Sequence, residues 1–483
     1  MNSLVIFGLT IYLLGMLGVG YYASKKVKGF DDYMVAGRRL GFGLATGSLV
    51  ATWFCTGSVM GASGSIYSDG LMSVVSDPFA ASLSLILAGA FYVGFMRRMN
   101  LITVTEIFGK YYSVKSEIFA AVLMIPVYIG WLGSQMVAMG YIINALIGMN
   151  ITFAILLGSV IVLVYTYQGG MWADTLTDFV QLIFIMIGLL IMTPIIIQDA
   201  GGYSNIFKNT PPEFLDFYPK NAGYNDWIPY IGQWVLMGFG CVVGQDLIQR
   251  SLSSKTEHIA RASAITAGII YILMGTMPLI IGLAGRILMP TGVDDPEMLM
   301  PLMAMKYLSP FMIVLFMGAL VSALMSSADS SLLAGVSLIT TNIMFKLKPG
   351  RSDVQKLKDA RNVTIILAIA SVFTALWIQE IYDLMVNSWA TLWVAIFAPV
   401  TFAIYWKKAN TLAAWVSMIA GTSTWLMYIF IVWIIKGETD DSVFYAAATY
   451  GGVVSILSYI ITTLARYNKI KPHHMIQEDP EIK

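Results

Sequence analysis

The chain has 483 residues, of which 57% are hydrophobic and only 12% charged, about half the charged share of an ordinary soluble domain. Too little polar surface is available to cover a water-soluble body of this size, so a soluble enzyme is excluded, as are disordered, collagen-like and disulfide-stapled secreted chains. A net charge of +1 carries no nucleic-acid footprint, and what is left is a protein that crosses a lipid bilayer many times.

A membrane-crossing helix needs about 20 mostly apolar residues. Thirteen runs meet that standard, near 3–24, 42–66, 71–96, 116–147, 151–168, 174–198, 227–246, 262–288, 309–345, 362–386, 388–406, 411–435 and 443–465. The first has no basic start and extends to Lys25 and Lys26, so it reads as a retained helix rather than a cleaved leader. Thirteen crossings place the termini on opposite sides. Of the 29 lysines and arginines, 24 fall in segments 25–41, 97–115, 247–261, 346–361, 407–410 and 466–483; Lys208, Lys220, Arg286, Lys306 and Lys436 fall on or near the other side. Basic loops stay in the cytoplasm, which predicts a plasma-membrane protein with its N-terminus outside and its C-terminus in the cytoplasm. Loop 199–226 is then external. The tail beyond residue 465, with His473 and His474, reads as a solvated polar segment, and Cys55 and Cys241 read as buried thiols.

Polar groups and broken backbone are costly inside a bilayer and mark function there. Four places stand out. In the second run, GLATGSLVATWFCTGSVMGASG, glycines and hydroxyls predict an unwound stretch near Ala51–Gly57 whose carbonyls face a cavity. The seventh run, WVLMGFGCVVGQD, is interrupted by Gly238, Gly240 and Gly244. A pair of interrupted segments in two halves points to an inverted-repeat transporter with its site at the midplane. In the ninth run, Ala323, Ser326, Ser327 and Ser330 share one helix face, with Asp329 on an adjacent edge. Hydroxyls with a carboxylate are hard oxygen ligands suited to a cation such as sodium. The sixth run opens with Asp174 near an interface and Asp178 a turn deeper, followed by Gln181.

At these residues the sequence resembles the sodium–solute symporter family, through AGRRLGFG, ATWFCTGSVMG, TDFVQ, GQDLIQRSLSS and ALMSSADSS, in that order, between Gly37 and Asn342. The resemblance implies an all-α fold of the LeuT type: two five-helix repeats of opposite orientation, with extra helices at both ends. The division follows as 1–36 for the first helix and its loop, 37–198 for the first repeat, 199–226 for the external loop, 227–406 for the second repeat, 407–465 for two further helices and 466–483 for the tail. The resemblance also implies a sodium site made by Ala51, Phe54, Ala323, Ser326 and Ser327, and a second cation site on Asp178, Ser326, Asp329 and Ser330. Asp329 stands where other members carry a hydroxyl. Within the family the chain is similar to the high-affinity choline transporter branch, which places Trp53, Thr56, Gly57, Trp131 and Gly244 around the solute. Two tryptophan faces suit a cationic amine. Gly244 stands where the branch has a third aromatic, which leaves room for a larger or differently charged solute.

The expected function is sodium-coupled import of a small organic solute, a quaternary amine or an amino acid such as proline, with pantothenate, a monocarboxylate or a sugar as the alternative. A transporter-like sensor is the remoter reading and lacks an attached signalling domain in this sequence. A channel does not need an internal repeat. A membrane-embedded enzyme needs a histidine or metal cluster, and His258 is the only histidine before the tail. Sodium is the coupling ion, the bilayer the surroundings, and no obligate protein partner is evident.

Overall fold

The computed structural model describes residues 3–166, 170–220, 223–437 and 440–465. The expected tail 466–483 lies outside the described residues. Regular structure within them is helical throughout, apart from one isolated bridge between Leu40 and Ser254. In chain order the helical rods are α1 (Ser3–Ser24), α2 in two pieces (Phe42–Trp53 and Gly57–Asp69), α3 (Leu71–Arg98), α4 (Val114–Ile147), α5 (Ile151–Thr166), α6 (Gly170–Asp199), α7 (Tyr224–Leu252), α8 (Glu257–Leu288), α9 (Pro310–Leu347), α10 (Asp353–Trp377), α11 (Leu392–Tyr405), α12 (Thr411–Lys436) and α13 (Asp441–Ala465). Nine are long and apolar enough to cross a membrane, and the bent α2 pair makes a tenth. The apolar parts of α1, α5 and α11 are shorter, so thirteen is the number of apolar runs, while the described helices that qualify as crossings number nine or ten.

The helix starts follow from local chemistry. A side-chain oxygen just before the first turn accepts an otherwise orphaned backbone N–H. Ser113 does this for Ser116 N at 3.1 Å, Thr256 for Ile259 N at 3.2 Å, and Asn410 for Ala413 N at 2.9 Å. Ser352 and Gln355 form a reciprocal capping box at the start of α10.

Apolar side chains face outward and polar ones inward, as a lipid solvent demands. On α12, Phe430, Trp433 and Ile435 are exposed, whereas Ser326, Ser327, Ser330 and Ser331 of α9 are fully buried. The centre of the molecule is α9, packed along α6 and α4, with the first half of α2 between α6 and α8. The helices α12 and α13 pair with each other at the periphery.

Among the described residues, the basic segments 25–41, 97–115, 247–261 and 346–361 meet on one face. Leu40 N donates to Ser253 O at 3.0 Å, Arg38 donates to the Asn100 carbonyl at 2.9 Å, and Arg97 Nε donates to the Ser254 carbonyl at 2.8 Å. Lys346 reaches Glu117 at 3.1 Å on the same face.

Candidate functional site

The site begins where α2 breaks. Its two halves are bent by 58°, and the chain between Trp53 and Gly57 leaves helical geometry at Phe54 (φ −78°, ψ 71°). The Cys55 N–H turns back to the Trp53 carbonyl at 2.8 Å, which takes the usual i+4 donor away from the Ala51 carbonyl. Backbone oxygens are thereby released inside the protein, where a ligand must satisfy them. The break in α7 is narrower than its three glycines suggest. Gly238 and Gly240 stay in helical turns, and only Gly244 is extended (φ −61°, ψ 133°).

The serine face of α9 lies against the α2 break. Ser327 Oγ donates to the Thr52 carbonyl at 2.6 Å, and Thr52 Oγ1 is 3.0 Å from Ser330 Oγ. Ala51, Phe54, Ala323, Ser326 and Ser327 are all fully buried. The structure therefore brings the two helices that carry the expected sodium ligands into direct contact. Carbonyl and hydroxyl oxygens in a dry cavity are suited to a hard monovalent cation, and the residues present fit sodium.

Around the expected second cation position the structure adds a residue that the sequence did not single out. Asp178 accepts from Ser326 Oγ at 2.5 Å and from Ser48 Oγ at 2.6 Å. The guanidinium of Arg250, at the end of α7, lies against the same carboxylate at 3.5 Å and pairs with Asp174, Ser48 and Ser330. Arg250, Asp174 and Asp178 are all nearly inaccessible. A charge-assisted fork of this kind satisfies buried carboxylates that would otherwise be expensive. Asp329 lines a separate small cavity with Tyr33, Gly170, Asp174 and Thr364. The sequence signal for Arg250 was its position one turn inside the helix after the Gly244 break.

Two of the expected solute residues, Trp53 and Trp131, meet in an aromatic cluster. Trp53 and Trp389 have ring centroids 5.9 Å apart, and Trp131 meets Trp389 edge-on at 5.2 Å. A third ring in this cluster comes from Trp389, just before α11, and not from α7. A Cβ built at position 244 would lie 3.0 Å from both Asp246 Oδ1 and the Cys241 carbonyl, so a side chain there crowds these two oxygens. Asp246 accepts the Trp53 indole N–H at 2.7 Å and the Tyr128 hydroxyl at 3.2 Å. Thr56 donates to Gln135 Oε1 at 2.8 Å, and Gly57 packs against Met385. A cavity of about 740 Å³, lined by Gly130, Ser388, Thr391 and Trp425, stops one residue short of Trp389.

The fold, with its bent α2 and the extended Gly244 of α7, is that of a membrane transporter. The profile of the sodium:solute symporter family matches residues 33–421, and the chain belongs to that family. It is a sodium-coupled transporter and not an enzyme. Among curated relatives it is 28% identical to the osmoregulated proline transporter OpuE of Bacillus subtilis, over 96% of this chain and 95% of that one. It is also 28% identical to the high-affinity choline transporter 1 of Drosophila melanogaster, over 84% of this chain and 68% of that one. In three dimensions it resembles a Na+-coupled sialic acid symporter in a substrate-bound outward-open state, with a TM-score of 0.80 and 22% identity over 98% of both chains. At that identity the likeness shows the fold, which is the LeuT type implied by the family resemblance.

Proposed function

We propose that this protein imports a small nitrogen-containing solute, an amino acid such as proline or a choline-like amine, together with sodium bound by Ala51, Phe54, Ala323, Ser326 and Ser327. The observation that carries this reading is the position of Trp53. Its ring forms one wall of the Trp53–Trp131–Trp389 cluster, and its backbone lies in the break that also supplies the Ala51 and Phe54 carbonyls. A solute that orders this short stretch orders the sodium ligands with it, and the converse holds because coupling free energy is reciprocal. Relatives named for choline and proline transport support a nitrogen-containing solute.

Arg250 bears on the stoichiometry. A second sodium at Asp178, Asp329 and Ser330 would have to share Asp178 and Ser330 with the guanidinium. In this arrangement Arg250 supplies the positive charge that such an ion would bring. The basic loops support an orientation with the C-terminus in the cytoplasm, and the two repeats are best divided as 37–198 and 227–406.

The test is uptake into proteoliposomes of the purified protein. An inward sodium gradient should drive accumulation of labelled proline or choline, and potassium should not replace it. If a carboxylate without any amine competes best for uptake, the nitrogen-containing solute is wrong and only the symporter remains.

A further inference from the structure

Around the Trp53 carbonyl lies a second group of buried oxygens that is not among the expected sodium or solute residues. Asp77 of α3, Ser58 of α2 and Tyr271 of α8 are each about 1% exposed. Ser58 Oγ is 2.6 Å from Asp77 Oδ2, 2.7 Å from the Tyr271 hydroxyl and 3.3 Å from the Trp53 carbonyl. The Tyr271 hydroxyl is 2.7 Å from Asp77 Oδ1 and 3.1 Å from the same carbonyl.

The proton count shows what this cluster lacks. Three oxygen–oxygen approaches of 2.6–2.7 Å join Ser58, Tyr271 and Asp77. The Ser58 and Tyr271 hydroxyls donate one proton each, and an ionised carboxylate and a carbonyl are acceptors only. With Asp77 ionised, one of the three approaches therefore has no proton between its oxygens. The cluster also carries a negative charge with no internal counter-ion. Asp174 and Asp178 share Arg250, and Glu117 has Lys346. Among the described residues no lysine or arginine lies within 4.0 Å of Asp77. A buried carboxylate with no ion-pair partner is stabilised by a bound cation or by a proton, and hard oxygens gathered around it favour the cation.

We propose that Asp77, Ser58, Tyr271 and the Trp53 carbonyl form a binding site for one compact cationic group, either a free sodium ion or the N–H-bearing ammonium of the solute. Both supply what is missing, sodium as charge on hard oxygens and an ammonium as charge with donors. A quaternary ammonium brings no N–H and satisfies the cluster poorly. The ammonium alternative rests on the proposed nitrogen-containing solute; the sodium alternative does not. Because the Trp53 carbonyl belongs to the cluster and its ring to the solute wall, occupancy of the site bears directly on the α2 break.

The experiment uses the full-length purified protein. It measures bound 22Na+ per chain without solute, then binding of proline and of choline at saturating sodium, for wild type, Asp77→Asn and Tyr271→Phe. If the site holds sodium, Asp77→Asn loses one equivalent of bound sodium. If it holds the ammonium, sodium binding is unchanged and the Kd for proline rises about tenfold or more, the usual effect of losing a hydrogen bond to a charged group, while choline changes little. Tyr271→Phe keeps the carboxylate and removes one oxygen. It should shift the same quantity by a smaller factor, and it decides the matter if Asp77→Asn does not fold. Sodium equivalents and proline affinity both within about twofold of wild type in the folded variants would overturn the proposal. Wild type that binds sodium but neither proline nor choline would overturn the proposed solute class instead, and the sodium count would still test Asp77.

Discussion

Ser326 Oγ donates to Asp178 Oδ1 at 2.5 Å, across the contact between α9 and α6. One of the expected sodium ligands is thus oriented by a buried carboxylate outside the sodium set. The carboxylate polarises the hydroxyl, so that its lone pairs are better donors to a cation at the α2 break.

This predicts that Ser326→Ala and Ser327→Ala raise the sodium concentration for half-maximal uptake by about tenfold or more, the effect of losing an oxygen ligand to a charge. Solute affinity measured without sodium should change far less. Wild-type sodium activation in both variants would make the serines packing groups between helices.

Arg250 is expected to act through charge compensation. Arg250→Ala leaves Asp174 and Asp178 buried without their counter-ion, which costs about 3–5 kcal/mol and should appear as a large loss of thermal stability. Arg250→Lys keeps the charge but not the planar fork that reaches Asp174, Asp178 and Ser330 together, so it should rescue only in part. With the guanidinium in place of a cation beside Asp178, the sodium Hill coefficient should be unchanged in Asp329→Asn. A Hill coefficient near two that falls in Asp329→Asn would show that a second sodium binds beside the guanidinium.

The tryptophan cluster predicts an ordered series for solute affinity. Trp53→Phe keeps a ring face but loses the N–H donated to Asp246, and Trp53→Ala loses both. Trp53→Ala should therefore weaken solute binding more, by roughly 0.5–2 kcal/mol per lost cation–π contact. Trp389→Ala should be comparable to Trp131→Ala in equilibrium binding. If Trp389→Ala leaves the Kd unchanged, this residue is not a wall of the site.

The orientation is tested by cysteine labelling from outside. Thr210 is only 5% exposed, so the reporter belongs at the exposed neighbour Asn209, with Asp353 as the opposite-face control. Both native thiols are buried and should stay silent. Label at 209 and not at 353 is expected; the reverse pattern would invert the topology.

The sequence by itself determined the bilayer as solvent, the helical rods and the two helices that carry the expected sodium ligands. These depend on local properties: apolar run length, glycine and hydroxyl density, and the four-residue spacing that puts Ser326 and Ser330 on one face. The tertiary structure alone decided which polar groups meet. Arg250 lies 72 residues from Asp178 and reaches it only when the end of α7 packs beside α6. The Asp246 carboxylate crowds position 244, and Trp389 rather than α7 supplies the third ring. Asp77 is one acid in an apolar run until α3, α8 and the α2 break bring Ser58, Tyr271 and the Trp53 carbonyl around it. Apart from Gly244 and Asp246, the partners are far apart along the chain. Helix period says which face a side chain occupies, but only packing says what that face meets.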